Sequence, residues 1–395
     1  MSQSNSNHSP QEQWQQAVLT YARDINRYVE TGNRDGWKGL KEPHLPDTEH
    51  LLPDWQAALE ASNQEPYDAA RRQAFRQEWP PAHFPLSPRL ESQGRMIPTL
   101  ALLPDGSLLA RIGAPYEAGE VVHIDDARIQ TLEQVEGFGM CPQRRYFAWA
   151  RADGIQLTDG WNGPEVASFA WPDPHANLPA GVALEDTGRP SPSSLIPFPD
   201  GRRVLLVSSD GIFVLQAEGA TRLLPSLEDL QQELADGVAP EDLGIGLSME
   251  HGAVSPDGQW IAVGEQSSSH LVFDARLQRV AQIGPASEYP HFAHFNQRGD
   301  RLLLNACHFY GGASVGVAVA DLPGLSTDFY SDDARTPVLQ EGARVYAAAS
   351  RGDEFIIGDA YGYLRAFSEN GEERWQHYIG SVSYTHLTLP TKRIV

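Results

Sequence analysis

Five of the chain's 13 histidines, His251, His270, His291, His294 and His308, fall in one stretch of the sequence. Imidazole is the side chain best suited to bind a metal or move a proton near neutral pH. A metal site needs neutral imidazoles converging at about 2.0–2.1 Å from one ion. The spacing does not supply that. No His-Glu-x-x-His or Cys/His finger pattern occurs, and His291 and His294, three apart on an expected strand, should point to opposite faces. No metal is therefore expected. Gly312-Ala313-Ser314-Val315-Gly316 fits the G-x-S-x-G pattern of serine hydrolases, whose serine sits on a strained turn from strand to helix. Here a Val-Ala-Val-Ala run follows, so the match reads as a coincidence of a Gly-rich loop. Cys141 and Cys307 are the two cysteines, each in apolar sequence. They read as buried free thiols rather than a disulfide framework. No catalytic residue is singled out.

The element that must position these groups is clearest at Glu250–Asp274. A strand over His251–Ser255, a Pro256-Asp257-Gly258 turn, a strand over Gln259–Gly264, a polar loop and a strand over His270–Asp274 make an antiparallel meander. Pro presets the turn's φ, Gly supplies a positive one, and the flanks alternate β-branched or aromatic with small residues. Copies recur as LPDGSLLARI at Leu103, CPQRRYFAWA at Cys141 and FPDGRRVLLV at Phe198. Degraded copies are NQRGDRLLLN at Asn296 and SRGDEFIIGD at Ser350. Positions 104, 142, 199, 256 and 297 are separated by 38, 57, 57 and 41 residues, and Gly299 to Gly352 adds 53. A unit of about 40 residues with insertions is the mark of a propeller blade. The insertions are the Pro-rich Pro172–Pro192 and Ser226–Gly246, where Ser226 and Asp229 suggest a helix cap.

An all-β propeller with six visible blades follows, preceded by a small N-terminal helical extension. Its boundaries are read as 1–90 for the extension and linker, 91–381 for the propeller and 382–395 for a tail. In the extension Trp14, Val18, Tyr21, Ile25 and Tyr28 step by four and three along one helical face. That helix is expected to end at Gly32-Asn33. Weaker helices are expected at Asp54–Ala61 and Tyr67–Trp79, packed on the β domain or on a partner. In a propeller the inner strand of each blade starts on the face that also carries the second-to-third-strand loops. That geometry gathers Glu250, His251, Glu265, His291, His308, Tyr310, Arg344 and Asp359 on one rim of a central channel, as residues for a ligand or partner.

At Val254–Leu304 the pattern resembles the PD40/WD40-like propeller repeats of bacterial proteins. Gly362–Trp375 is similar to a single repeat of the quinoprotein-type propellers. That resemblance would imply a quinone only if several such tryptophan repeats occurred. One does, so no cofactor is expected, and Trp149, Trp171, Trp260 and Trp375 are read as packing residues. Val382–Thr391, VSYTHLTLPT, is similar to the translation of a transposase-type sequencing adapter. The tail is therefore read as non-native, on a chain truncated near Gly380 whose full ring would hold a seventh blade.

Lys and Arg number 30 against 52 Asp and Glu, a formal charge of −22. Such a surface disfavours nucleic acid and anionic membrane as partners. The N-terminus lacks a signal-peptide pattern, and no apolar run approaches a membrane span, so a cytoplasmic location is expected. The leading expectation is a non-catalytic scaffold binding another protein through the channel rim. The rival is a small-molecule sensor or enzyme, with Glu250, His291 and Arg344 at the channel mouth.

Overall fold

The repeated turns fold alike. In the computed structural model, which describes residues 8–65, 69–80, 96–114, 119–125, 128–182, 188–243, 245–309 and 311–378, each marker closes a four-residue turn. Gly106 N–H donates to Leu103 O, Gly201 to Phe198 O, Gly258 to Ser255 O and Gly299 to Asn296 O, at 2.9–3.1 Å. These glycines have φ of +66° to +89°, which an L side chain adopts at a cost. The second marker has no glycine there, and Arg144 takes φ +60° in its place. The turn carboxylates cap their own loops: Asp105 accepts from Ser107 N–H at 3.0 Å and Asp257 from Gln259 N–H at 3.0 Å.

Each turn joins the first two strands of a sheet, and six antiparallel sheets result. Blade one is Thr99–Leu102, Leu108–Ile112, Glu120–Ile124 and Ile129–Thr131. Blade two is Gly137–Met140, Tyr146–Arg151, Gly154–Asp159 and Glu165–Phe169, and blade three Pro192–Pro197, Val204–Ser208, Gly211–Gln216 and Gly219–Leu224. Blade four is His251–Val254, Trp260–Gly264, His270–Asp274 and Arg279–Ile283, with Leu325–Thr327 added in parallel at its outer edge. Blade five is Tyr289–Phe295, Arg301–His308, Gly311–Ala318 and Val338–Glu341, and blade six Val345–Arg351, Glu354–Asp359, Tyr363–Ser368 and Glu373–Tyr378.

A blade buries its apolar faces mainly against its neighbours. Leu109, Val121, Phe138, Phe147 and Trp149 fill the seam between blades one and two. Leu205, Ile212, Ile261 and Val263 fill that between three and four, and Leu303, Val345, Phe355 and Phe367 that between five and six. Ser314 lies inside a strand of blade five, fully buried and bonded to Asn305 Nδ2 at 3.0 Å. Cys141 and Cys307 are buried and unbridged. Trp149 is core, whereas Trp375 stands exposed on the outer strand of blade six.

Helix α1 spans Pro10–Asp35, opened by a capping box between Ser9 and Glu12. It runs past Gly32-Asn33 and stops at Gly36, φ +85°. The expected earlier stop fails for a packing reason. A Cβ on Gly32 would meet the Trp37 ring at 2.4 Å, so Gly32 serves close approach rather than chain reversal. Helix α2 is Leu52–Gln64 and α3 is Ala69–Glu78. Trp14 and Val18 pack with Leu51, Leu52 and Trp79, while Ile25 and Val29 pack on Tyr363 of blade six. Helix α4, Leu227–Ala235, is capped by Ser226, whose hydroxyl accepts from Asp229 N–H at 3.2 Å. Leu230 with Leu243 and Ile245 packs against Leu178 and Val182, so the two long insertions cover each other. The tail 382–395 lies outside the described residues, and no helix among those described is long and apolar enough to cross a membrane.

Candidate functional site

The chain enters each blade at its inner strand, so between-blade connections and second-to-third-strand loops share one face. Hydrogen bonds knit those loops together. Leu247 N–H donates to Ser209 O and Gln266 N–H to Ser248 O, both at 2.7 Å. Gly342 N–H donates to Gly312 O at 2.7 Å and Ala360 N–H to Arg344 O at 3.1 Å. Glu250 and Arg344 immediately precede the inner strands of blades four and six, His251 opens the former, and His291 lies in the inner strand of blade five.

The structure brings His251, His291 and Arg344 together and adds His270, the first residue of blade four's third strand. His251 Nδ1 lies 2.9 Å from Met249 O, so that nitrogen carries the proton and Nε2 is an acceptor. His270 Nδ1 donates to it at 3.1 Å. His291 Nε2 accepts from Arg344 Nε at 3.3 Å, and Arg344 Nη1 donates to Phe309 O at 3.3 Å. All three imidazoles are neutral at pH 7. Burial pushes His251 down to about 4, holds His270 well below the ordinary value, and with the Arg344 charge pushes His291 to about 3. Burial also raises Glu250, and the nearby Asp210 carboxylate adds to the rise.

Local backbone makes this arrangement possible. Met249 and Phe309 are non-glycine residues at φ +54° and +51°, and each turns its carbonyl onto a site side chain. Strain of this kind persists where surrounding contacts over-determine it. Gly264 leaves room for the histidine pair: a Cβ there would lie 2.7 Å from His251 Cε1 and Nε2.

Other predicted rim residues hold the loops themselves. Glu265 is buried and accepts from Ser267 N–H at 2.8 Å. Asp359, fully buried at a strand end, accepts from Tyr361 and Tyr363 N–H at 3.0 and 2.9 Å and pairs with Arg365 at 2.6 Å. His308 is exposed, bonds Glu288 and stacks on Tyr289. Tyr310 lies outside the described residues. The expectation that His291 and His294 face opposite ways is corrected: a bulge between Pro290 and Phe292 breaks the alternation. His291 then meets Tyr346 and His294 meets Phe355, both on blade six. Among the described residues no group of three or more His, Cys, Asp or Glu side chains could hold a metal.

Sequence reasoning missed the exposed aromatics on this face. Phe309 is 74% exposed, Tyr330 62%, Tyr361 52% and Phe329 48%. Phe309 and Tyr361 tip the loops of blades five and six, and Tyr330 N–H donates to Pro285 O at 3.0 Å beside the connection into blade five. Large apolar residues at loop tips with no strand periodicity were the available signal.

The site therefore sits on a six-bladed β-propeller. No protein-family model matches the chain, and no curated protein matches it either. Solved structures do. The chain is similar to the Cps50 (Swd1) β-propeller domain of Myceliophteria thermophila at 12% identity, over 71% of this chain and 86% of that one, with TM-score 0.43. It is similar to BamB from Moraxella catarrhalis at 15% identity, over 72% and 77%, with TM-score 0.40. A chain of the mitotic checkpoint complex matches at 10% identity, over 70% and 78%, with TM-score 0.42. These likenesses concern the fold.

Proposed function

We propose that this propeller is a non-catalytic, cytoplasmic scaffold that takes a protein partner on its channel rim. The observation that carries this reading is a set of exposed aromatics on the loops of this face, Phe309 and Tyr361 at the tips of blades five and six and Phe329 and Tyr330 after the outer-edge strand of blade four. Interface centres are enriched in aromatic residues. The chain is acidic overall, with a formal charge of −22, which favours a basic segment on the partner. Helix α1, packed on blade six, acts as a brace. The two buried thiols suit a reducing compartment.

The test is affinity capture with the wild-type chain and with the Phe309→Ser, Tyr361→Ser double variant, both checked for cooperative melting. A protein retained by the wild type and lost by the variant supports the rim. Equal recovery on both, or none on either, overturns it.

A further inference from the structure

One seam between blades shows how this chain closes an outer edge. In blade five the connection from the third to the fourth strand runs out as a strap, residues 319–327, onto blade four. Its strand Leu325–Thr327 adds in parallel to Arg279–Ile283, with Leu325 opposite Ala281 and Thr327 opposite Ile283. Gly324 N–H donates to Val280 O at 2.9 Å and Gly284 N–H to Thr327 O at 3.1 Å. Leu322 and Leu325, three apart, are buried in the seam in one cluster with Ala281, Ile283, Val315 and Val317.

The seam between blades two and three has the same parts and, among the described residues, no strap. Strand pairing puts Ala167 and Phe169 of blade two where blade four has Ala281 and Ile283. It puts Phe213 and Leu215 of blade three where blade five has Val315 and Val317. Glu165–Phe169 is the last strand of its sheet, and an open edge of this kind templates pairing with another strand. A groove of about 620 Å³ lies there, lined by Phe169, Trp171, Phe213, Leu215, Ala220 and Arg222. Opposite Phe213, at the place Val338 holds in blade five, stands Arg222. Its Nη1 donates to Asp210 O at 3.3 Å and its Nη2 to Pro174 O, while the buried Nε has no acceptor. Two carbonyls match two of five N–H groups and none of the charge. No carboxylate among the described residues forms an ion pair with Arg222. Burial lowers its pKa and the nearby Asp173 charge offsets only part of that, since Asp173 Oδ1 accepts from His175 N–H at 2.8 Å.

We propose that this groove docks an extended segment of a partner protein, of the strap's own type. The segment pairs with the outer strand of blade two, sets two leucine-class side chains three residues apart onto Phe169, Phe213 and Leu215, and brings a carboxylate to Arg222. Strand addition takes its affinity from main-chain bonds and its specificity from alternate side chains. A guanidinium suits a carboxylate through its planar fork of N–H groups. The overall charge of −22 repels a polyacidic segment and admits one whose few carboxylates stand in otherwise neutral sequence. None of the rim aromatics lines the groove, so this site stands or falls separately from docking on the rim.

The probe is a labelled, end-capped synthetic peptide with the sequence of residues 320–329, ADLPGLSTDF, in which Asp321 and Asp328 flank the leucine pair. Its fluorescence anisotropy is followed as the full chain is added. The peptide binds, and replacing both leucines by Ser, or both aspartates by Asn, weakens binding about tenfold or more. On the protein, Ala220→Trp fills the groove from an exposed position and blocks binding. Arg222→Gln weakens it about tenfold and removes the difference between the Asp and Asn peptides, while Ile129→Ser on blade one leaves it unchanged. Melting of each free variant shows whether it folds, and Ala220→Trp carries the test if Arg222→Gln does not. Absence of binding, binding indifferent to the leucines or to the aspartates, or binding that survives Ala220→Trp overturns the proposal. So does a dimer of the chain alone, seen by light scattering and broken by Ala220→Trp, since a second copy would then fill the groove.

Discussion

The two faces of the propeller obey different rules. On the face of the repeated turns, one motif is used again and again. A glycine takes the positive φ, an i to i+3 bond closes the loop, and a carboxylate caps it, as at Asp257. Some charges there are paired, Arg203 with Asp200 and Arg298 with both Asp300 and Glu369. On the opposite face, which carries the between-blade connections and the second-to-third-strand loops and is called the mouth below, that motif is not the rule. Met249, Phe309 and Tyr330 hold positive φ without being glycine, three imidazoles are buried neutral, and no carboxylate among the described residues pairs with Arg344. Consistency between local preference and global fold is what specifies a structure, and violations collect where something other than folding is served. The difference separates a face built by one repeated local rule from a face built residue by residue.

The largest effect should come from a residue that belongs to the mouth by position but to the scaffold by chemistry. Asp359→Ala removes the partner of the mostly buried Arg365 and two backbone caps, and breaking a buried pair costs roughly 3–5 kcal/mol. Urea unfolding measures it. A loss similar to that from Arg145→Ala, which breaks an exposed pair with Asp159, would mean Asp359 is not the structural carboxylate described here.

Acid should distinguish the faces next. An unfolded histidine titrates near 6.5, whereas folded His251 and His291 titrate near 4 and 3. Below 6.5 the unfolded chain binds protons that the folded chain does not. The contribution of these histidines is therefore complete above 6.5 and falls with pH, by about 1.4 kcal/mol per unit for each. The fall ends near 4 for His251 and near 3 for His291. Replacing His251 by Asn should flatten the stability profile between about pH 6 and pH 4.5 by that slope. An unchanged slope would show that His251 is free to ionise in the folded state.

The scaffold face was legible because its signals are local. Pro256-Asp257-Gly258 writes its turn in three residues, and the strands on either side form within a residue or so of their expected ends. The mouth was legible only in part, because its chemistry is non-local. Glu250, His251, His291 and Arg344 follow from strand order in a propeller, but the His251–His270 bond depends on a bare backbone at Gly264. The bulge that turns His291 toward Arg344 breaks the period-two rule on which any sequence reading of faces rests. Asp359 illustrates the same limit. A carboxylate at a loop reads as available until the two N–H groups and the arginine that occupy it are seen. Gly32 misled in the opposite sense, since a residue that commonly ends helices here makes room for Trp37 inside one.

Gly264→Ala sharpens the comparison at one atom. The added methyl would lie 2.7 Å from the His251 ring, and overpacking of this kind costs roughly 1–3 kcal/mol. The cost should largely vanish when His251 is already Ala, giving a coupling energy of the same size in a double-mutant cycle. Independent, additive losses would mean that the methyl collides with the sheet rather than with the imidazole.

The smallest effect separates strain that is tolerated from strain that is used. Arg144 and Met249 have nearly the same backbone, φ +60° and +54°, one on each face. Glycine relieves a left-handed residue of about 1–2 kcal/mol and returns roughly half of that through the entropy of the unfolded chain. Arg144 is exposed in a turn whose other copies carry glycine, so Arg144→Gly should stabilise by about 0.5 kcal/mol. Met249 holds the carbonyl that fixes the His251 tautomer. There the same relief frees that carbonyl, which favours the protonated ring, and Met249→Gly should gain nothing in stability while loosening the histidine pair, seen as a further lowered His251 pKa by NMR titration. Equal gains at both sites, with the His251 titration unmoved, would mean that the backbone at the mouth is no more purposeful than the backbone of a turn.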